Sequence, residues 1–204
     1  MGMKPKSPEK AHGNGHSTQT QAYGTVVNRP IALDHKVRST NSEHLNQILA
    51  DTISLRDMYK KHHWQVSGHT FYQLHLLFDK HYEEQAELVD AIAERVQTLG
   101  GVAIAMAADV AETTKVTRPP RGREDVNVQL FRLLQAHELI IAETREAADK
   151  ADQNGDQGTN DLLVSQVLRT NEFQVWFITE QIAGTGIEEK GEGSVAEQVG
   201  AASH

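Results

Sequence analysis

Apolar residues recur along this chain at steps of three and four over four long stretches, the spacing that turns one face of an α-helix towards a core. From Ser42 the series runs Leu45, Ile48, Thr52, Leu55, Tyr59, His63 and Val66, which predicts a first helix ending near Ser67 and Gly68. Thr70 followed by Gln73 has the spacing of a capping box, and Leu74, Leu77, His81, Gln85, Leu88, Ile92, Val96 and Leu99 then trace a second helix. Gly100 and Gly101 stop it. Residues 102–124 form a long connection that starts with the small apolar run VAIAMAADVA, read as a short helix, and contains Pro119 and Pro120. A third helix is predicted from Asp125 to Lys150 on Val126, Leu130, Leu133, His137, Ile140, Thr144 and Ala147. The polar turn ADQNGDQGTND leads to a fourth, on Val164, Leu168, Asn171, Val175, Ile178 and Ile182. The expected fold class is all-α: a four-helix bundle with a long connection between helices two and three.

The flanks break this pattern. Residues 1–41 are rich in Gly, Pro, Ser, Thr, Asn and Gln and are expected to form a flexible N-terminal arm. The bundle is expected over 42–183, and a Gly- and Glu-rich flexible tail over 184–204. The first 40 residues carry six basic side chains, Lys4, Lys6, Lys10, Arg29, Lys36 and Arg38, against Glu9 and Asp34. That balance of +4 within a total of -8 leaves -12 for the rest, so arm and body differ in sign. An acidic body opposes nucleic-acid binding through the whole-molecule field and favours cations. No cysteine occurs among the 204 residues, which excludes disulfides, thiolate catalysis and sulfur-ligated metal centres. No apolar run of signal-peptide or membrane-spanning length interrupts the chain, so cytoplasmic residence is expected.

Any metal must therefore be held by nitrogen and oxygen. His63 near the end of helix one and His75 near the start of helix two flank a short turn, so their imidazoles can face one another at one end of the bundle. Asp79 follows His75 by four residues and lies one turn along on the same face, and Asp90 and Glu94 repeat that spacing. His75 and Asp90, however, are separated by about 22 Å of helical rise, with faces only roughly 60° apart. They cannot share a metal within one subunit. Two copies packed antiparallel across a two-fold axis near His81, Tyr82 and Glu83 would bring His75 of one to Asp90 and Glu94 of the other, making two identical sites. Imidazole and carboxylate donors without sulfur favour Fe²⁺ and admit Mn²⁺ or Zn²⁺ as substitutes. His62 points about 100° away from His63 and is read as a surface residue.

The segment Lys60–Gly101, KKHHWQVSGHTFYQLHLLFDKHYEEQAELVDAIAERVQTLGG, closely resembles the signature of the Dps family, the DNA-binding proteins from starved cells. The markers are His63-Trp64, Gly68, Phe71, His75, Phe78-Asp79, Asp90, Ala93-Glu94-Arg95 and Leu99-Gly100-Gly101, with a weaker likeness over 42–183 that includes Trp176-Phe177-Ile178. The resemblance implies a ferritin-like bundle and a ferroxidase that oxidises Fe²⁺ with hydrogen peroxide, or more slowly with O₂, at di-iron centres between subunits. The Fe³⁺ would be stored as ferric oxo-hydroxide mineral in a homododecameric shell built from two-fold dimers, protecting DNA from oxidative damage. On this resemblance His63, His75 and Asp79 come from one subunit, Asp90 and Glu94 from its partner, and Trp64 stands beside the centre as an oxidisable indole.

Three further expectations complete the reading. Asp152, Asp156 and Asp161 cluster before the fourth helix, where the resemblance implies an acidic three-fold pore admitting iron, with Asp156 and Asp161 the foremost candidates. Glu83 and Glu87 suit either a solvated face or a cavity lining that attracts iron. The arm's lysines could contact DNA phosphates, and His12, His16, Asp34, His35 and His44 could hold a further cation. The alternative function is a DNA-binding, nucleoid-compacting protein in which iron sequestration is secondary.

Overall fold

A computed structural model describes residues 19–183. Among them are α1 (His35–Gln65), α2 (Phe71–Thr98), a short α3 (Ala107–Thr113), α4 (Val126–Gln153), and α5 (Gln157–Leu162), which runs through a π-helical turn (Leu163–Leu168) into α6 (Arg169–Ile182). No strand occurs among the described residues, and no helix there is long and apolar enough to cross a membrane. The arm residues Lys4, Lys6, Lys10, His12 and His16 and the tail from 184 lie outside the described residues.

The direction of each helix follows from its cross-contacts. Tyr59 meets both His81 and His137, while Asn41, at the other end of α1, meets Asp156 beyond the end of α4. Helix α1 is therefore antiparallel to both α2 and α4, which makes α2 and α4 parallel. The chain between them must travel back the length of the bundle, roughly 40 Å for a 28-residue helix, and residues 99–125 with α3 do so. This is the crossing connection of a ferritin-like bundle. Its core is built from Leu45, Ile48, Leu55 and Tyr59 of α1, Leu74, Phe78 and Ile92 of α2, Leu130, Leu133 and Ile140 of α4, and Leu163, Val167 and Ile178.

Two elements depart from the apolar pattern for identifiable reasons. Helix α1 begins at His35, seven residues before Ser42 and inside the stretch read as a flexible arm, because its first turns bury polar rather than apolar groups. Arg38 is 2% exposed and donates from Nη1 to the carbonyls of Val27 (2.6 Å) and Leu99 (3.1 Å), clamping the segment before α1 to the end of α2. Gly100 has φ +90° there, and a Cβ would lie 2.4 Å from the Val27 carbonyl oxygen, so only glycine fits. In the last helix, periodicity turns Val164, Leu168 and Val175 inward, but Leu163, Val167 and Gln174 occupy those places. The π-helical turn shifts the register, and Val164 is left 39% exposed. Thr70 does precede α2 but makes no side-chain capping bond.

Asp156 caps α5 by accepting from the Thr159 amide at 3.0 Å, and it also accepts from Asn41 (2.7 Å) and Arg95 (2.5 Å). It is 1% exposed. Burial pushes its carboxyl up, but the bonds from Thr159 and Asn41 and the Arg95 charge outweigh that and hold it below the usual carboxylate range. Asp156→Ala strands the Arg95 charge, and urea unfolding should show a loss of about 3–5 kcal/mol. A loss under about 1 kcal/mol would mean that the pair is screened like a surface salt bridge.

Candidate metal centre

Helix α1 ends at Gln65 and α2 starts at Phe71, so the short link 66–70, with Gly68 at φ +99°, folds the first turns of α2 back onto the last turn of α1. His63 and His75 meet across it. Their rings stack with centroids 3.7 Å apart and planes 20° from parallel. Each Nδ1 lies at hydrogen-bond distance from the other residue's backbone carbonyl, 2.8 Å from His63 to His75 O and 2.9 Å from His75 to His63 O. A carbonyl only accepts, so both Nδ1 atoms carry protons and both Nε2 lone pairs are left bare. This reciprocal bond fixes tautomer and ring angle together, as in orientated metal-binding histidines.

Asp79 stands one turn further along α2, with Oδ1 3.8 Å from His63 Nδ1. Its carboxylate is paired with Lys60, and that hydrogen bond, with the nearby His63 and His75, holds the Asp79 carboxyl below the usual carboxylate range. The Lys60 ammonium also lies 4.1 Å from the Tyr82 ring centroid. Sequence spacing assigns Lys60 no role, although it lies about one helical turn before His63.

Asp90 and Glu94 lie exposed on the outer face of α2, far along the helix from His75. Among the described residues of one chain, no group of three or more His, Asp or Glu side chains converges on a common point. Around His75 the surface is apolar: Trp64 is 70% exposed, Tyr72 69%, Leu76 50% and Phe71 43%. Glu83 and Glu87 are exposed on α2 as well.

Other candidates are divided differently. Asp152 and Asp161 are exposed beside the α4–α5 turn, whereas Asp156 is buried and engaged with Arg95, its carboxylate taken up by the cap. His62, read as a surface residue, is fully buried, its ring centroid 6.3 Å from that of Phe78 and both ring nitrogens without a hydrogen-bond partner among the described residues. Burial, reinforced by Lys61 and Arg132, pulls its pKa down to about 3. The donors at the α1–α2 corner, from His63, His75 and Asp79, are nitrogen and oxygen atoms.

The ferritin-like domain model matches residues 42–185. DpsC from Streptomyces coelicolor has a solved structure that aligns with a TM-score of 0.81 at 54% identity, covering 84% of this chain and 99% of that one. A nutrient stress-induced DNA-binding protein of Nostoc is 36% identical over 76% of this chain and 85% of its own. DNA protection during starvation protein 1 of Deinococcus radiodurans is 33% identical over 75% of each chain. A bundle with this crossing connection, a facing histidine pair at the α1–α2 corner and relatives matched over most of their lengths have one common account: the chain belongs to the Dps family of ferritin-like proteins.

Proposed function

We propose that the chain is a ferroxidase whose substrates are Fe²⁺ and hydrogen peroxide and whose centres are shared between two copies. The observation that carries this reading is the reciprocal His63–His75 bond, which holds two bare Nε2 atoms at one end of α2. Asp79 supplies a carboxylate beside them, and Asp90 and Glu94 of a two-fold partner complete each centre. The length of α2 requires that partner, and the exposed Trp64, Tyr72, Leu76 and Phe71 offer apolar surface for it to cover. The carboxylates stabilise Fe³⁺ more than Fe²⁺ and so favour the net reaction of two Fe²⁺ and one peroxide to two Fe³⁺ and two hydroxides. The ferric product is stored as mineral in a dodecameric shell, with Asp152 and Asp161 drawing Fe²⁺ to its pores by their field. O₂ serves as a slower oxidant, and Zn²⁺ or Mn²⁺ competes for the same donors.

Adding peroxide to protein loaded anaerobically with Fe²⁺ should consume one peroxide per two Fe²⁺, without spin-trapped hydroxyl radical and with inhibition by prior Zn²⁺. One peroxide per Fe²⁺ accompanied by spin-trapped hydroxyl radical, or no consumption, would sink the proposal.

The Nostoc relative's DNA-binding name favours a second reading, in which the basic arm docks on DNA. The body's charge of -12 opposes it, so binding would depend on Lys4, Lys6 and Lys10 and fall steeply with salt. A low-salt gel shift that deletion of residues 1–18 leaves unchanged would remove that reading.

A further inference from the structure

The centre of the bundle is polar. Tyr59 of α1, His81 and Gln85 of α2, His137 of α4, and Asn171 and Gln174 of α6 are all 0% exposed. Their hydrogen bonds fix every proton around the phenol. Asn171 donates through Nδ2 to the Val167 carbonyl (2.7 Å), so its Oδ1 is the acceptor facing His137 Nδ1 at 2.8 Å. His137 therefore carries its proton on Nδ1, and its Nε2 is a bare base 2.5 Å from the Tyr59 oxygen. The phenol's single proton is spent on that base, so the 3.1 Å contact with His81 must run the other way, with His81 Nδ1–H donating to the Tyr59 oxygen.

Stability alone gives no reason for this arrangement. An apolar bundle centre would avoid the cost of burying six polar side chains, and here the buried His81 Nε2 and Gln85 Oε1 find no partner among the described residues. What the geometry suits is reversible oxidation of a phenol. One neighbour stands ready to take the proton as the electron leaves, and the other holds a hydrogen bond to the oxygen that remains. Tyr59 lies one helical turn before His63, about 6 Å of rise from it.

We propose that Tyr59, with His137 as its proton acceptor and His81 as the donor to its oxygen, is a redox-active tyrosine that holds one oxidising equivalent arising at the iron centre. The inference rests on the ferroxidase reading. When a centre holds a single Fe²⁺, peroxide cleavage yields Fe³⁺, hydroxide and a hydroxyl-radical-class oxidant. That oxidant takes one electron from Tyr59 and becomes a second hydroxide, while the phenolic proton moves to His137 Nε2. The products are a neutral Tyr59 phenoxyl and a His137 imidazolium. The next Fe²⁺ returns the electron and His137 returns the proton, restoring Tyr59 and giving Fe³⁺. The sum is two Fe²⁺ and one peroxide to two Fe³⁺ and two hydroxides. Beyond His137 the chain of bonds reaches the carboxylate of Glu84 only by way of the amides of Asn171, Gln85 and Gln174, which are poor proton carriers, so the proton stays beside the radical. Burial raises the phenol well above its ordinary pKa, which rules out a tyrosinate route and makes transfer to His137 obligatory.

Of the four tyrosines, Tyr59 alone is buried, so the radical can be assigned. The full chain, loaded anaerobically with one Fe²⁺ per centre, is mixed with peroxide and frozen for electron paramagnetic resonance. A tyrosyl signal that narrows with ring-deuterated tyrosine is expected in the native protein and in Trp64→Phe, and its loss in Tyr59→Phe. In His137→Gln, which keeps the hydroxyl but removes the base, the tyrosyl yield should fall several-fold while an indole radical gains. A parallel arm without iron uses a photogenerated ruthenium polypyridyl oxidant. A Tyr59 signal there, with no peroxide consumed in the iron arm, keeps the redox tyrosine and removes the ferroxidase reading. Two-for-one peroxide consumption with no tyrosyl signal in either arm, or a signal unchanged in Tyr59→Phe, overturns the inference alone.

Discussion

His63→Ala and Asp90→Ala, each expected to lose iron oxidation by about 100-fold or more as a pure oligomer, should recover activity when unfolded and reassembled together. The loss follows from ligand count, since even residues that only orient a metal ligand cost about 10–100-fold when removed. The recovery follows from symmetry. In a dimer of one His63→Ala and one Asp90→Ala copy, one centre takes both damaged residues and the other takes an intact His63 from one chain and an intact Asp90 from the other. Random pairing makes half the dimers mixed, so about a quarter of all centres should be whole. Peroxide-driven Fe²⁺ oxidation by the co-refolded mixture measures this directly. A mixture no more active than its parents would mean that both residues serve one chain's site, which is the outcome that ends the shared-centre proposal.

The need for a second subunit is legible in the sequence because the ligand candidates His75, Asp79, Asp90 and Glu94 share one regular helix. A helix carries its own ruler, and both the spacing that groups these residues and the length that separates them follow from rise per residue. The crossing connection was legible for a related reason: the chain from Leu99 to Asp125 is long and broken by Pro119 and Pro120. What the sequence hid depends on neighbours. The reciprocal His63–His75 bond needs the folded link 66–70, and the Lys60–Asp79 pair needs α1 and α2 in register. His62 was misplaced because the pattern assumes one buried face per helix. Helix α1 packs against α2, α3 and α4 and under the segment clamped by Arg38, so nearly its whole circumference is enclosed. The inward turn of Gln174 depends on the π-helical turn before it, and a pattern of period 3.6 cannot register the extra residue that such a turn absorbs.

The same enclosure predicts a pronounced acid sensitivity. Burial pulls His137 down to about 3, with the bond to Asn171 opposing and the neighbouring His81 assisting. His62 and His81 are drawn to about 3 by the same cause. The unfolded chain takes up a proton at each imidazole near its ordinary pKa of about 6.5, whereas the folded chain does not until about pH 3. Between those values the unfolded state binds more protons, so stability rises with pH: it is complete above about 6.5 and drains away as pH falls towards 3. For His137 alone the loss should approach about 3 kcal/mol by pH 4, at about 1.4 kcal/mol per pH unit. The carboxylate of Asp156 works in a lower window, below the ordinary carboxylate range, whereas Glu143, whose carboxyl burial raises, opposes the histidines just above its ordinary value. Urea midpoints taken at fixed protein concentration between about pH 6.5 and 4.5 measure the slope. His137→Gln keeps an amide in the network but cannot titrate, so its slope should be shallower by one proton even though its stability at neutral pH is lower. A slope equal to that of the native protein would show that His137 is protonated in the folded bundle, and the proton assignment around Tyr59 would fall with it.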